Sequence, residues 1–161
     1  MRRIYATAVA FLLVFCIIFS LCACSGTNTE YSPDYITSKL CEIDKEVSYI
    51  KLVPEQIPSF FNISVSDLKN YSVFIADNEN SSNTIAVFEI NSKDDKTKVL
   101  EAINTYINGL SKTFELSNIN EFKKLSSRVV LELGDCIVLV VSDNVPPMLD
   151  ELDDMGAKAL K

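Results

Sequence analysis

The chain has 161 residues, with 15 basic and 22 acidic side chains, a net charge of -7, and neither histidine nor tryptophan. An acid excess of that size repels nucleic acid and anionic lipid headgroups. Without histidine neither a Ser-His-Asp nor a Cys-His arrangement can be built.

Arg2 and Arg3 form a positive n-region ahead of the uncharged apolar stretch 8–19, and Leu21-Cys22-Ala23-Cys24 follows. This order reads as an export signal. The uncharged run from Ile4 to Ala23 is also about long enough to span a bilayer. A thiol directly after a small residue decides between the two, because Leu21 to Cys24 resembles a bacterial lipobox. The expectation is a signal peptide over 1–23, lipid on Cys24, and a polar tether over 24–32. Each buried methylene contributes about 0.8 kcal/mol, so two or three acyl chains such as palmitate hold a protein on the membrane where one chain lets it exchange. Cleavage removes two arginines and leaves 13 basic against 22 acidic side chains, a net charge of -9.

Of the five cysteines, Cys16 and Cys22 leave with the signal and Cys24 takes lipid. Cys41 and Cys136 remain, and a solitary distant pair is expected as two buried free thiols rather than a bridge. Residues 33–161 suffice for one domain with its own core.

That domain opens at Ser32-Pro33-Asp34, a cap, a proline and a first-turn acid, after which Ile36, Leu40, Ile43 and Val47 recur at helical spacing. Pro54 to Phe61 predicts a short helical or turn segment, limited by Pro58, with Phe60, Phe61 and Ile63 packing inward. Tyr71–Ala76 and Thr84–Ile90 are strand-like and flank the polar loop 77–83, which predicts a hairpin. Ser92-Lys93-Asp94-Asp95 then caps the longest helix, whose stripe is Val99, Leu100, Ile103, Tyr106, Ile107, Leu110 and Phe114. A shorter helix is predicted with Ile119, Phe122 and Leu125 facing in.

Arg128–Leu133 and Cys136–Ser142 flank Gly134-Asp135, whose leading glycine suits a type II′ hairpin. Cys136 to Val141 is apolar at every position, as in a strand central to a sheet. Pro146-Pro147 opens a last helix, with Met148, Leu149, Leu152 and Met155 inward, Asp150 and Glu151 early, and Lys158 late. The sum is an α+β domain: a four-stranded, mainly antiparallel sheet from two hairpins, covered by helices on one face.

Asn70-Tyr71-Ser72-Val73-Phe74, Thr84-Ile85-Ala86-Val87-Phe88 and Val138-Leu139-Val140-Val141-Ser142-Asp143 resemble an uncharacterised family of lipoproteins from Gram-positive bacteria, domain of unknown function 4358. The resemblance covers roughly residues 34–156 and implies lipoprotein status in a single-membrane envelope. It brings no catalytic residue, cofactor or activity.

Several chemical signatures are present in part. Ser48-Tyr49-Ile50-Lys51 and Ser66-Asp67-Leu68-Lys69 match S-x-x-K, and Ser142-Asp143-Asn144 matches S-D-N, two signatures of penicillin-recognising serine enzymes. The third, Lys-Thr-Gly, is missing, and the chain is too short for that fold. Two spread cysteines without histidine do not make a zinc site. Asp77, Glu79 and Ser81 alternate as calcium ligands would, but Ser82 and Phe88 stand where glycine and glutamate are required. Asp150, Glu151, Asp153 and Asp154 read as a solvated helix face. The expectation is a non-catalytic module, neither an enzyme nor dependent on a cofactor or metal, held in the cell membrane through Cys24 and working on the extracytoplasmic side with an envelope protein partner. A hydrolase using carboxylates alone is the alternative, and a transporter's ligand receptor would need a second lobe.

Overall fold

The computed structural model describes residues 31–160, and these form one compact unit. Helix α1, Pro33–Ile43, begins where the cap was read: Ser32 is extended and its Oγ accepts from the Tyr35 N–H at 3.2 Å. It ends before Val47, because Asp44 leaves helical geometry and turns its carboxylate inward. Strand β1, Tyr49–Lys51, and helix α2, Ile57–Phe61, follow; Phe61 and Ile63 are buried as expected, but Phe60 is 38% exposed, because a helix this short turns Ile57 and Phe61 to the core and Phe60 between them outward. Helix α2 closes on Asn62 in the left-handed region, φ 53°, a conformation asparagine tolerates better than most residues. Strand β2 runs Leu68–Ala76, three residues earlier than the sequence suggested and with a register irregularity between Leu68 and Asn70. Strand β3 is Thr84–Ile90.

Helix α3, Asp95–Ser117, carries Val99, Ile103, Tyr106, Ile107 and Phe114 buried, with Leu100 and Leu110 partly so. Helix α4, Ile119–Ser126, departs from its expected stripe: Leu125 is buried, but Ile119 is 56% exposed because it sits in the first turn, beyond the sheet's cover. Strands β4, Val129–Leu133, and β5, Cys136–Val141, join through Gly134 at φ +59°. Asp135 does not share the positive φ, which makes the turn II′ rather than I′. Helix α5, Val145–Asp154, stops short of Lys158, which instead lies in strand β6, Lys158–Ala159, beside β4. Lys158 therefore does not complement that helix's dipole.

All pairings are antiparallel, in the order β1-β2-β3-β5-β4-β6. The sheet has six strands, not four, because three-residue β1 and two-residue β6 are too short to show a period of their own. The helices cover both faces, not one. Ala86, Phe88, Ile90, Ile137, Leu139 and Val141 pack with α2, α3 and α4, while Ile85, Val87, Cys136, Val138 and Val140 pack with α1 and α5. Alternate residues of β3 and β5 point to opposite sides and every one is buried, so a single layer of helices cannot cover them. On the α3 side Phe61 stacks on Tyr106, centroids 4.4 Å apart, and meets Phe88 edge-on at 5.1 Å.

Candidate functional site

The end of α1, the start of β1, the loop before β3, helix α4 and the end of β5 meet in one polar cluster. Asp44 is at its centre. Its Oδ2 accepts from the Ser142 hydroxyl at 2.7 Å, the Tyr49 hydroxyl at 2.8 Å and the Asn83 amide at 3.4 Å. Asn83 passes the network on, its Oδ1 accepting from Lys124 Nζ at 2.6 Å and from Ser81 Oγ at 3.0 Å. The opposite amide orientation would aim NH₂ at the ammonium and oxygen at the carboxylate, so the neighbours fix it.

Lys124 has three protons and three acceptors: Asn83, Asp143 Oδ2 at 2.7 Å and Glu121 Oε1 at 3.0 Å. Its side chain is only 7% exposed. Glu121 Oε2 in turn accepts from both the N–H and the hydroxyl of Ser82 at 2.7 Å. The acids and the amine hold the seven-residue loop 77–83 in place without a glycine.

Titration follows from this packing. Burial alone would raise the Glu121 carboxyl, but the Ser82 donors and Lys124 outweigh it and hold it below 4.5. Burial alone would lower Lys124, and Asp143 with Glu121 reverses that, leaving it above 10.5. Burial first and Asp44 second push the Cys41 thiol up to about 11 and the Tyr49 phenol far above its usual range. Elsewhere, Lys51 and then Ser72 hold Asp34 low, Ser92 and then Lys98 hold Asp95 low, and Asp95 holds Lys98 high. Burial takes Tyr106 to about 12. Each of these perturbed groups is moved away from neutrality, the reverse of what a general acid or base working near pH 7 requires.

Of the partial signatures, Ser142-Asp143-Asn144 lies in this cluster with all three residues structurally engaged, while Ser48-Tyr49-Ile50-Lys51 reaches it only through Tyr49 and the calcium-like set only through Ser81. Ser142 Oγ also accepts from the Asn144 N–H at 2.9 Å, and Asn144 Nδ2 donates to the Ile43 carbonyl at 3.1 Å. Neither S-x-x-K lysine is with it: Lys51 pairs with Asp34 and Lys69 with Glu89. Ser66 bonds Ser64, and Ser48 contributes a carbonyl to Asp77 N–H. Asp77 and Glu79 are exposed, and no group of three cysteines or acids among the described residues is placed to hold a metal ion. Asp150, Asp153 and Asp154 are exposed on α5. Cys136 is buried and Cys41 half-buried, and no disulfide joins them. Cys24 lies outside the described residues.

A shallow groove of about 240 Å³ runs beside the first turns of α3, lined by Asn62, Ser64, Asp67, Lys98, Glu101 and Thr105. It is smaller than the roughly 300–1,000 Å³ of typical small-ligand pockets. Sequence reasoning missed Asp44, Asn83, Glu121 and Lys124 as a set. Asp44 follows Ile43 in what reads as a helix, and nothing local marks it as buried.

A family model described as domain of unknown function (DUF4358) matches residues 42–142, a narrower span than 34–156. The matched span opens two residues before Asp44 and closes on Ser142, so it contains nearly the whole polar cluster. No curated protein and no solved structure matches.

Proposed function

The chain belongs to the family described as a domain of unknown function (DUF4358), and from that premise we propose that it is a lipoprotein anchored through Cys24 on the extracytoplasmic face of the cell membrane, a non-catalytic binding or accessory module. The observation that carries the non-catalytic part is the direction of titration: among the described residues every perturbed group lies further from neutrality than its free value. The anchor rests on the order of residues 2–24. No helix among the described residues is long and apolar enough to cross a membrane.

Cys24→Ala tests the anchor. It is expected to abolish incorporation of labelled fatty acid and leave an unprocessed precursor in the membrane fraction, whereas normal labelling would sink the reading. Cross-linking in intact cells followed by recovery from membranes tests the accessory role, with a stoichiometric envelope protein as the expected product. Asp67 and Glu101 both line the groove, which makes it a place to seek the hydrolase. Turnover of an envelope glycan or ester that is lost in Glu101→Gln would replace the accessory reading.

A further inference from the structure

The chain enters the described domain at the start of α1, and its surroundings there differ from the acidic surface elsewhere. Tyr31 and Tyr35 stack with ring centroids 5.3 Å apart and planes 15° from parallel. Tyr35 is 44% exposed, and the Lys39 ammonium stands 6.0 Å from its ring centroid. On β1, Lys51 ion-pairs with Asp34 and lies 5.9 Å from the ring centroid of half-buried Phe74. Lys39 pairs likewise with Glu42 at 3.5 Å. Each cation has one acid beside it, so the patch is aromatic and electrically balanced.

Resting on the lipid anchor proposed above, we infer that the Tyr31–Tyr35 face is the surface of the domain that lies against the lipid headgroups. Reach decides it. Eight residues lead from Cys24 to Ser32, and fully extended they span no more than about 29 Å. A domain of this size is about 35 Å across. Whatever surrounds the point of entry is therefore held within less than one domain width of the bilayer. Tyrosine suits that position, since its ring prefers the acyl boundary and its hydroxyl the hydrated headgroups. The stack is already ordered, so contact costs little further side-chain entropy. The polar cluster around Asp44 lies at the other end of α1, about 16 Å along an eleven-residue helix. It is turned away from the membrane.

The absence of tryptophan supplies the test. Tyr35→Trp places one reporter in the patch, and Leu116→Trp places one at a side chain 96% exposed on α3 across the sheet. The lipidated full chain is reconstituted into phosphatidylcholine vesicles with brominated acyl chains; a neutral lipid is chosen because Asp150, Asp153 and Asp154 are exposed on α5. Tyr35→Trp is expected to shift its emission to the blue and lose intensity to bromine, while Leu116→Trp keeps both. Equal quenching at the two positions, or at neither, overturns the inference while the chain still floats with the vesicles. A chain that does not float with them removes the anchor and this inference with it, and flotation thus separates the two failures.

Discussion

Asp44 is a buried carboxylate served by three uncharged donors, and what it contributes is the satisfaction of those donors. Asp44→Ala is expected to orphan the Ser142 hydroxyl first. The cost is about 1–3 kcal/mol for each buried group left unpaired, measured as a lower urea midpoint at unchanged slope. Asp44→Asn keeps one acceptor oxygen and is expected to cost less. Glu121 contributes to the pH dependence, beside the more exposed Asp34 and Asp95. Its carboxyl is held below 4.5 in the folded state, so its stabilisation is complete above about pH 5.5 and is lost as the pH falls through 4.5 and the folded value beneath it. Urea titrations at successive pH values are expected to show that decline, and Glu121→Gln to flatten it. None of these roles was legible in the sequence, because an Asp or Lys on a charged stretch reads as solvated unless its distant partners are known. Asp44 and Ser142 are 98 residues apart.

Helix α3 was legible because its apolar stripe repeats over about four turns, enough for the period to outweigh individual exceptions. Phe114→Ala is expected to cost about 3–5 kcal/mol, since it empties volume under a fully covered strand. Two residues on, Leu116 is 96% exposed, and Leu116→Ala is expected to stay within about 0.5 kcal/mol. Equal effects in chemical denaturation would contradict the packing described. Strands β1 and β6 were not legible: three and two residues define no alternation, and tertiary pairing alone makes them strands. The unbroken apolar run of β5 did carry the message that both faces are covered. An expectation built from counting hairpins overrode it.

Because β3 and β5 contribute to both apolar clusters, neither cluster can come apart without exposing strands that the other needs. Unfolding of the domain is expected as one cooperative transition, with far- and near-ultraviolet dichroism coincident through a thermal scan. Separate midpoints would mean that α1 and α5 detach as a layer of their own. The doubly covered strand has another effect. In a half-exposed strand a slip of one residue is punished by polarity all along one face, but β3 is buried at all seven positions and polarity registers the slip only near its ends, where Thr84 bonds Tyr106 and Glu89 pairs with Lys69. Two further things index the strand: the difference in size between Ala86 and Phe88, and the clasp on Ser82 and Asn83 immediately before it. Spacing therefore matters unequally along one loop. A change of length is expected to be tolerated at exposed Glu79 and Asn80, whereas between Ser82 and Thr84 a single insertion would turn the strand's two faces over.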